Sequence, residues 1–258
     1  MRTQMCSHSG TDPSRFLAGA SIEGESPMSD LPFVSIIIPC RNEQDFIGDC
    51  LDSILANEYP KTRLEVLVVD GMSEDRTRSI AENYAQRNDF IRCIDNPKKI
   101  TPAALNRGID AARGDILMRM DVHAWYSPQY IAKCVNALDR YPADDVGGIW
   151  KIIPRTDKFA GQAIVRTLSH PFGIGNAHYR LASSSEPLWV DTVPFFCCRK
   201  EVFRTVGFFN EKLVRTQDME HKRRLKKAGG KILLVPEIAN HYYGRCESGV
   251  IKLARPLP

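Results

Sequence analysis

An aspartate and a histidine two positions apart, Asp121 and His123, close the apolar run Ile116-Leu117-Met118. If that run is a buried strand, side chains alternate along it, and both residues leave its C-terminal end pointing the same way. A carboxylate and a neutral imidazole so placed can share one divalent cation. The triplet is equally an aspartate capping the next turn beside a loop histidine. Asp70 ends a second apolar run, over residues 64–69, and can accept hydrogen bonds from a base or a ribose, or serve only as the turn residue before Gly71. Asp75 can cap the following helix and meet a ligand at once. Asp218 stands at the start of a basic helix, either as its N-terminal cap or as a general base facing the same crevice. In that helix Arg224 could reach a pyrophosphate. His241, after the last apolar run, reads as a third metal ligand or a buried histidine.

The elements that must position these groups follow from the hydrophobic pattern. Residues 34–39 and 64–70 are β-branched runs with little alternation, as expected of parallel strands covered on both faces. Between them Asn42-Glu43 opens a helix whose Ile47, Leu51, Ile54 and Leu55 form one apolar stripe. The segment Pro39-Cys40-Arg41-Asn42-Glu43 joins strand to helix, and its amides could meet uracil or phosphate oxygens. The rhythm repeats with a strand over 90–94, a helix over 102–112 and the strand that leads to Asp121. Such alternation describes βαβ units closing into a parallel sheet, whose ligands bind beyond the carboxyl ends of the strands. Residues 39–41, Asp70 and Asp121 should therefore gather along one edge. Later come a helix over 128–140, a strand over 146–150, a long connection over 154–186 with an amphipathic helix within 161–179, a strand over 189–196, a short helix over 199–206, the helix opened by residues 215–220, and a last strand over 232–236. Gly173-Ile174-Gly175 follows no strand and is not read as a dinucleotide fingerprint.

Composition narrows the partners. A net charge of +4 is too slight for a nucleic-acid binder. Setting aside residues 1–31, with Arg2 and Arg15 against Asp12, Glu23, Glu25 and Asp30, leaves +6, a bias suited to a phosphorylated substrate. Eight cysteines without a Cys-x-x-Cys pair suggest neither a zinc site nor a disulfide framework, and fit a reducing, cytoplasmic setting. Residues 1–31 read as a disordered leader without a signal-peptide core, and no run of eighteen apolar residues suggests a membrane span.

In this order, VSIIIPCRNE, VLVVDGMSEDRT, ALNRGIDAARGDILMRMDVHA and RTQDMEHKRRL resemble the inverting family 2 glycosyltransferases. RMDVHAWYSPQYI, HPFGIGNAHYR and TQDMEHKRRL look most like the branch of succinoglycan-type exopolysaccharide glucosyltransferases. The resemblance implies an α/β, GT-A type fold with a mostly parallel Rossmann-like sheet, in a single domain over 32–245 followed by a tail over 246–258. It implies transfer of a hexose from a nucleotide-diphosphate sugar, UDP-linked by expectation, to a saccharide or lipid-linked saccharide with inversion. Pro39, Arg41, Glu43, Asp70 and Asp75 then match the uridine pocket, and Asn106 joins the donor-binding residues. Asp121 and His123 stand for the Asp-x-Asp that holds Mn²⁺ or Mg²⁺ on the donor diphosphate, with His123 in place of the second aspartate and His241 where a C-terminal metal-binding histidine falls. Asp218 matches the catalytic base, with Gln217 in place of the glutamate that usually precedes it. A peripheral contact with the inner membrane face, through the basic 222–231 segment or the 161–168 helix, is expected for a lipid-linked acceptor.

Two rivals stay open at this level. A sugar nucleotidyltransferase would want a Gly-rich loop after the first strand, and residues 39–43 have no glycine. The other is a non-catalytic scaffold that binds a nucleotide-sugar on the same fold.

Overall fold

Strands β1 (Val34–Cys40), β2 (Leu64–Asp70) and β4 (Ile116–Arg119) are buried along almost every residue, the outcome required of apolar runs with both faces covered. The computed structural model describes residues 31–153 and 186–243. The expected leader up to residue 30, the helices within 161–179, the Gly173-Ile174-Gly175 motif and the tail from 246 lie outside the described residues. With β3 (Ile91–Asp95) the three strands pair in parallel in the order β3-β2-β1-β4. Register sets Cys40 beside Asp70, and Asp70 beside Asp95. The carboxyl ends of β1, β2 and β3 therefore finish level. The crossovers are helices α1 (Ile47–Leu55), α2 (Thr77–Arg87) and α3 (Thr101–Ala111), and α4 (Tyr130–Arg140) follows β4 and a short strand over 124–126.

Beyond β4 the sheet changes character. It continues through β8 (Cys197–Arg199), β6 (Asp145–Ile153), β9 (Ile232–Tyr243) and β5 (Ala124–Tyr126), with β7 (Leu188–Val190) also on β9. Of these pairings β6 with β9 is parallel, whereas β4–β8, β6–β8, β5–β9 and β7–β9 are antiparallel. The parallel sheet read from the sequence thus covers the first four strands, and the whole is mixed. Helices α5 (Glu201–Val206) and α6 (Gln217–Lys227) meet each other, and their Val202, Phe203 and Leu225 share the core cluster with Cys198, Ile232 and Leu234. In the core Ile37, Leu67, Leu105 and Leu117 meet Phe196, Phe203, Phe209 and Leu225, so one hydrophobic cluster joins the two halves.

Three of the differences from the sequence reading have a visible physical reason. The strand expected over 189–196 breaks after Val190, and Phe195 sits in the left-handed region at φ 62°, where no ladder can run. The last strand continues to Tyr243, so His241 lies within β9, opposite Trp125, rather than beyond it. That extension needs a register shift in β6 between Gly147 and Ile149, and Gly148 permits it: a Cβ there would stand 1.7 Å from the Ile238 carbonyl oxygen. Third, α1 begins at Ile47 instead of Asn42, because Asn42 takes φ 53° and residues 42–44 bond across to the 73–77 loop.

Candidate functional site

Strand β4 stops at Arg119. Its continuation is held by the Met120 amide, which donates to the Ile37 carbonyl at 3.0 Å, and by the Asp121 amide, which donates to the buried Tyr126 hydroxyl at 2.7 Å. Val122 and His123 then form a turn, closed by the Ala124 amide on the Asp121 carbonyl at 3.2 Å. The extended alternation that was to aim Asp121 and His123 the same way is absent. Instead, Asp121 Oδ1 accepts from Arg119 Nε at 2.9 Å, while His123 Nε2 lies 3.0 Å from Glu43 Oε1 with its ring edge-on to Phe46.

Arg119 is a residue that sequence reasoning missed. Its Nη1 donates to both Asp218 oxygens, at 2.8 and 2.7 Å, so one guanidinium joins Asp121 at the end of β4 to Asp218 in the first turn of α6. The Arg119 side chain is only 9% exposed, against 21% for Asp121 and 33% for Asp218, so the cation is enclosed and the carboxylates face outward. Burial works against the Arg119 charge, but Asp121 and Asp218 outweigh it and raise the pKa. Two carboxylates against one guanidinium leave the cluster with a formal charge of −1. The Phe195 ring backs the guanidinium at 5.6 Å.

The start of α6 is anchored a second time, one turn on. Lys222 Nζ donates to Asp145 Oδ2 at 2.7 Å and to the Phe195 carbonyl at 2.8 Å, and Asp145 Oδ1 accepts from the Cys197 amide at 3.1 Å. Burial pushes the Asp145 carboxyl up from the usual carboxylate range, and the Lys222 ammonium draws it back. Between these residues His221 packs on Phe203 and Phe209, with Nε2 3.2 Å from the Gly207 carbonyl. Burial drops its pKa to about 4, so it is neutral at pH 7.

A separate cleft of about 160 Å³ opens at the ends of β1 and β2, lined among others by Pro39, Arg41, Glu43, Asn96, Lys99 and Thr101. The start of α3 contributes one wall, and a helix start leaves its first amides without intrahelical partners, which favours anions. Lys99 escaped the sequence reading, which expected the helix over 102–112 but did not set its start at the cleft. Glu43 belongs to the lining of this cleft and also faces His123, so the 41–46 loop links it to the Asp121 turn.

Of the expected donor contacts, Pro39, Arg41 and Glu43 are thus brought together. Asp70, 2% exposed, accepts from the Ser73 amide at 3.1 Å and from the Ser73 hydroxyl, with Arg78 Nη1 3.8 Å away. Asp75 accepts from the Thr77 amide at 2.9 Å and from the Gln44 amide at 3.3 Å. The amides of Asn42, Glu43 and Gln44, offered above for uracil or phosphate, are taken by Ser73, Thr77 and Asp75. Two further expected donor residues bond to protein groups. Asn106 donates to the Phe209 carbonyl and Glu211 and accepts from the Phe209 amide, fastening α3 to the 209–211 loop. Arg224 spends its fork on Glu220 and on the Val206 and Phe208 carbonyls, closing the end of α5 instead of reaching a ligand.

The expected metal ligands do not converge. Among the described residues no three His, Cys, Asp or Glu side chains are grouped to hold a metal ion. His123 is engaged with Glu43, and His241 lies against Trp125 with ring centroids 5.6 Å apart. Asp121 fits the role differently. Its side chain stays 21% exposed beside Arg119, and Mg²⁺-like cations are commonly held by one or two carboxylates with substrate phosphates and water completing the shell.

Residues 35–207 match the family described as Glycosyl transferase family 2. The chain is 27% identical over 219 residues to the dolichyl N-acetyl-α-D-glucosaminyl phosphate 3-β-D-2,3-diacetamido-2,3-dideoxy-β-D-glucuronosyltransferase of Methanococcus voltae, covering 83% of this chain and 67% of that one. It is 28% identical over 214 residues to the succinoglycan biosynthesis protein ExoA of Rhizobium meliloti, covering 82% and 63%. Its backbone resembles the mannosyltransferase PcManGT of Pyrobaculum calidifontis in complex with GDP-Man and Mn²⁺, with TM-score 0.63, 20% identity and coverage of 84% and 59%. It also resembles S. aureus TarS 1–349 in complex with UDP-GlcNAc, with TM-score 0.63, 18% identity and coverage of 86% and 61%. The two structures bear on the fold alone. The chain spans roughly three-fifths to two-thirds of the length of these proteins.

Proposed function

The chain belongs to glycosyl transferase family 2, and from that membership we propose that it transfers a hexose from a nucleotide-diphosphate sugar, UDP-linked, to a saccharide or lipid-linked saccharide with inversion. The observation that carries this reading is the single guanidinium that holds Asp121 and Asp218 together at the end of β4. Such a reaction needs two functions side by side: a group that meets the leaving diphosphate and a base that meets the attacking hydroxyl. The Pro39, Arg41, Glu43 and Lys99 cleft receives the nucleoside, and the start of α3 favours its anionic end.

Asp121 meets the diphosphate, where a bound Mn²⁺ or Mg²⁺ would supply charge neutralisation of the leaving group. Asp218 takes the proton of the acceptor hydroxyl as its oxygen bonds to the anomeric carbon from the face opposite the breaking bond to phosphate. Its two oxygens offer about four acceptor sites, so the contacts with Arg119 leave room for that proton. One displacement from the opposite face gives inversion. The relatives' names support a saccharide or lipid-linked acceptor. For a lipid-linked one, the exposed Arg223, Lys226 and Lys227 of α6 are the basic groups that would meet an anionic bilayer surface. The test is thermal denaturation with Mn²⁺ and a panel of UDP-, GDP- and dTDP-sugars. A shift with UDP-sugars and release of UDP is the expected result, and a shift with another nucleotide alone would replace the donor while leaving the reaction.

A further inference from the structure

We propose that Arg119 is a positioning residue for transfer: its guanidinium fixes the Asp218 carboxylate toward the acceptor hydroxyl and ties it to the Asp121 turn that meets the donor. The proposal rests on the reading of Asp218 as the base. Asp218 sits in the first turn of α6, with a third of its side chain exposed, and among the described residues both of its polar contacts go to Arg119 Nη1. No hydrogen bond or ion pair from α6 reaches it among the described residues. Arg119, by contrast, is held from four sides. Its own amide donates to the Phe196 carbonyl at 2.9 Å, Nε is on Asp121, Nη1 is on Asp218, and its planar group rests on the Phe195 ring. Lys222, one turn after Asp218, grips the Phe195 carbonyl, so the surface that supports Arg119 is tied to the helix that carries the base.

Stability alone does not explain this arrangement. A buried ion triad commonly gives no more stability than apolar side chains of similar volume, and this one retains a surplus negative charge at the open edge of the sheet. The geometry instead suits a task that needs precision. Arginine offers a rigid, planar fork, so it can hold two carboxylates at a fixed separation, whereas a lysine ammonium is a single point on a flexible stem. Misplacing a reacting group by about 1 Å can cost on the order of 100-fold in rate.

The experiment compares wild type, Arg119→Lys, Arg119→Gln and Asp218→Asn for kcat, donor KM, UDP affinity and melting temperature. Arg119→Gln should lower kcat by about 100-fold while donor KM and UDP affinity stay within about twofold. Arg119→Lys, which keeps the charge and one of the two contacts, should recover to about tenfold below wild type. If Arg119→Gln does not fold, a lowered kcat in Arg119→Lys at an unchanged melting temperature supports the proposal. Arg119→Gln, or Arg119→Lys where Gln does not fold, with kcat within about threefold of wild type overturns it, and so does a loss confined to KM. An inactive Asp218→Asn beside such a result leaves the base assignment standing, whereas turnover by Asp218→Asn overturns both.

Discussion

Replacing Lys222 with methionine tests whether the α6 anchor is as costly to break as its geometry implies. Both side chains of the Lys222–Asp145 pair are 4% exposed, at an N–O distance of 2.7 Å. Methionine fills a similar volume, but it strips Asp145 of its ammonium and the Phe195 carbonyl of its donor, leaving the carboxylate with the Cys197 amide. Removing one member of a buried ion pair costs about 3–5 kcal/mol, because the other is left as an uncompensated charge. For a chain of this size 1 kcal/mol moves the midpoint by about 2–4 °C, so Lys222→Met should melt roughly 6–20 °C below wild type. The double variant Lys222→Met/Asp145→Asn removes both charges and keeps an acceptor for Cys197, and it should regain more than half of the loss. The deficit of Lys222→Met is also pH-dependent in a fixed direction. Without the ammonium that draws it down, the buried Asp145 carboxyl favours its protonated form still more, so the penalty is greatest at high pH and shrinks as pH falls and the carboxyl takes up its proton. Differential scanning calorimetry from pH 8 to pH 4 reads all three effects. A Lys222→Met melt within about 2 °C of wild type, or a double variant no more stable than the single one, would refute the reasoning.

His221 gives an acid signature. Its pKa falls from 6.5 to about 4 on burial, so the folded state prefers neutral imidazole; stability is complete above pH 6.5 and is lost as pH drops toward 4. The loss amounts to roughly 3 kcal/mol at 1.36 kcal/mol per unit, and His221→Phe should flatten that limb in urea titrations; an unchanged limb would show that another group is responsible. Chelation separates the role of Asp121 from the nucleotide cleft: EDTA should abolish transfer, Mn²⁺ should restore it, and Asp121→Asn should raise the Mn²⁺ concentration needed. Full turnover in chelator would remove the metal from the account.

The strands that frame the site were legible because burial on both faces leaves a mark that needs no tertiary knowledge. Residues 34–39, 64–70 and 116–118 are mostly apolar, interrupted only by Ser35, Glu65 and the terminal Asp70, and each is a strand of the parallel half. Asp70, Asp121 and Asp218 stood out as carboxylates at strand ends and a helix start. Less was legible where local pattern and tertiary bonding disagree. Strand alternation predicts that residues two apart point together, but the Tyr126 hydroxyl captures the Asp121 amide and turns the chain, sending His123 to Glu43. Arg119 reads locally as one more residue of a strand, and only the return of α6 to the same edge gives it two carboxylates. Asn106 and Arg224 carry chemistry suited to a ligand, yet they close on carbonyls of the 206–209 segment, which no spacing in the sequence announces. The antiparallel second half was hidden for a similar reason: β7 and β8 are each three residues long, too short for any periodicity to develop.

The central claim is that Asp218 removes the proton of the acceptor hydroxyl in a transfer from a nucleotide-sugar. It is tested most directly by Asp218→Asn, which keeps a side chain able to accept from Arg119 but cannot act as a base, with UDP affinity and sugar transfer measured on the same preparation. The account predicts UDP affinity within about twofold of wild type and transfer reduced by at least about 100-fold. Transfer at the wild-type rate by that variant would contradict it.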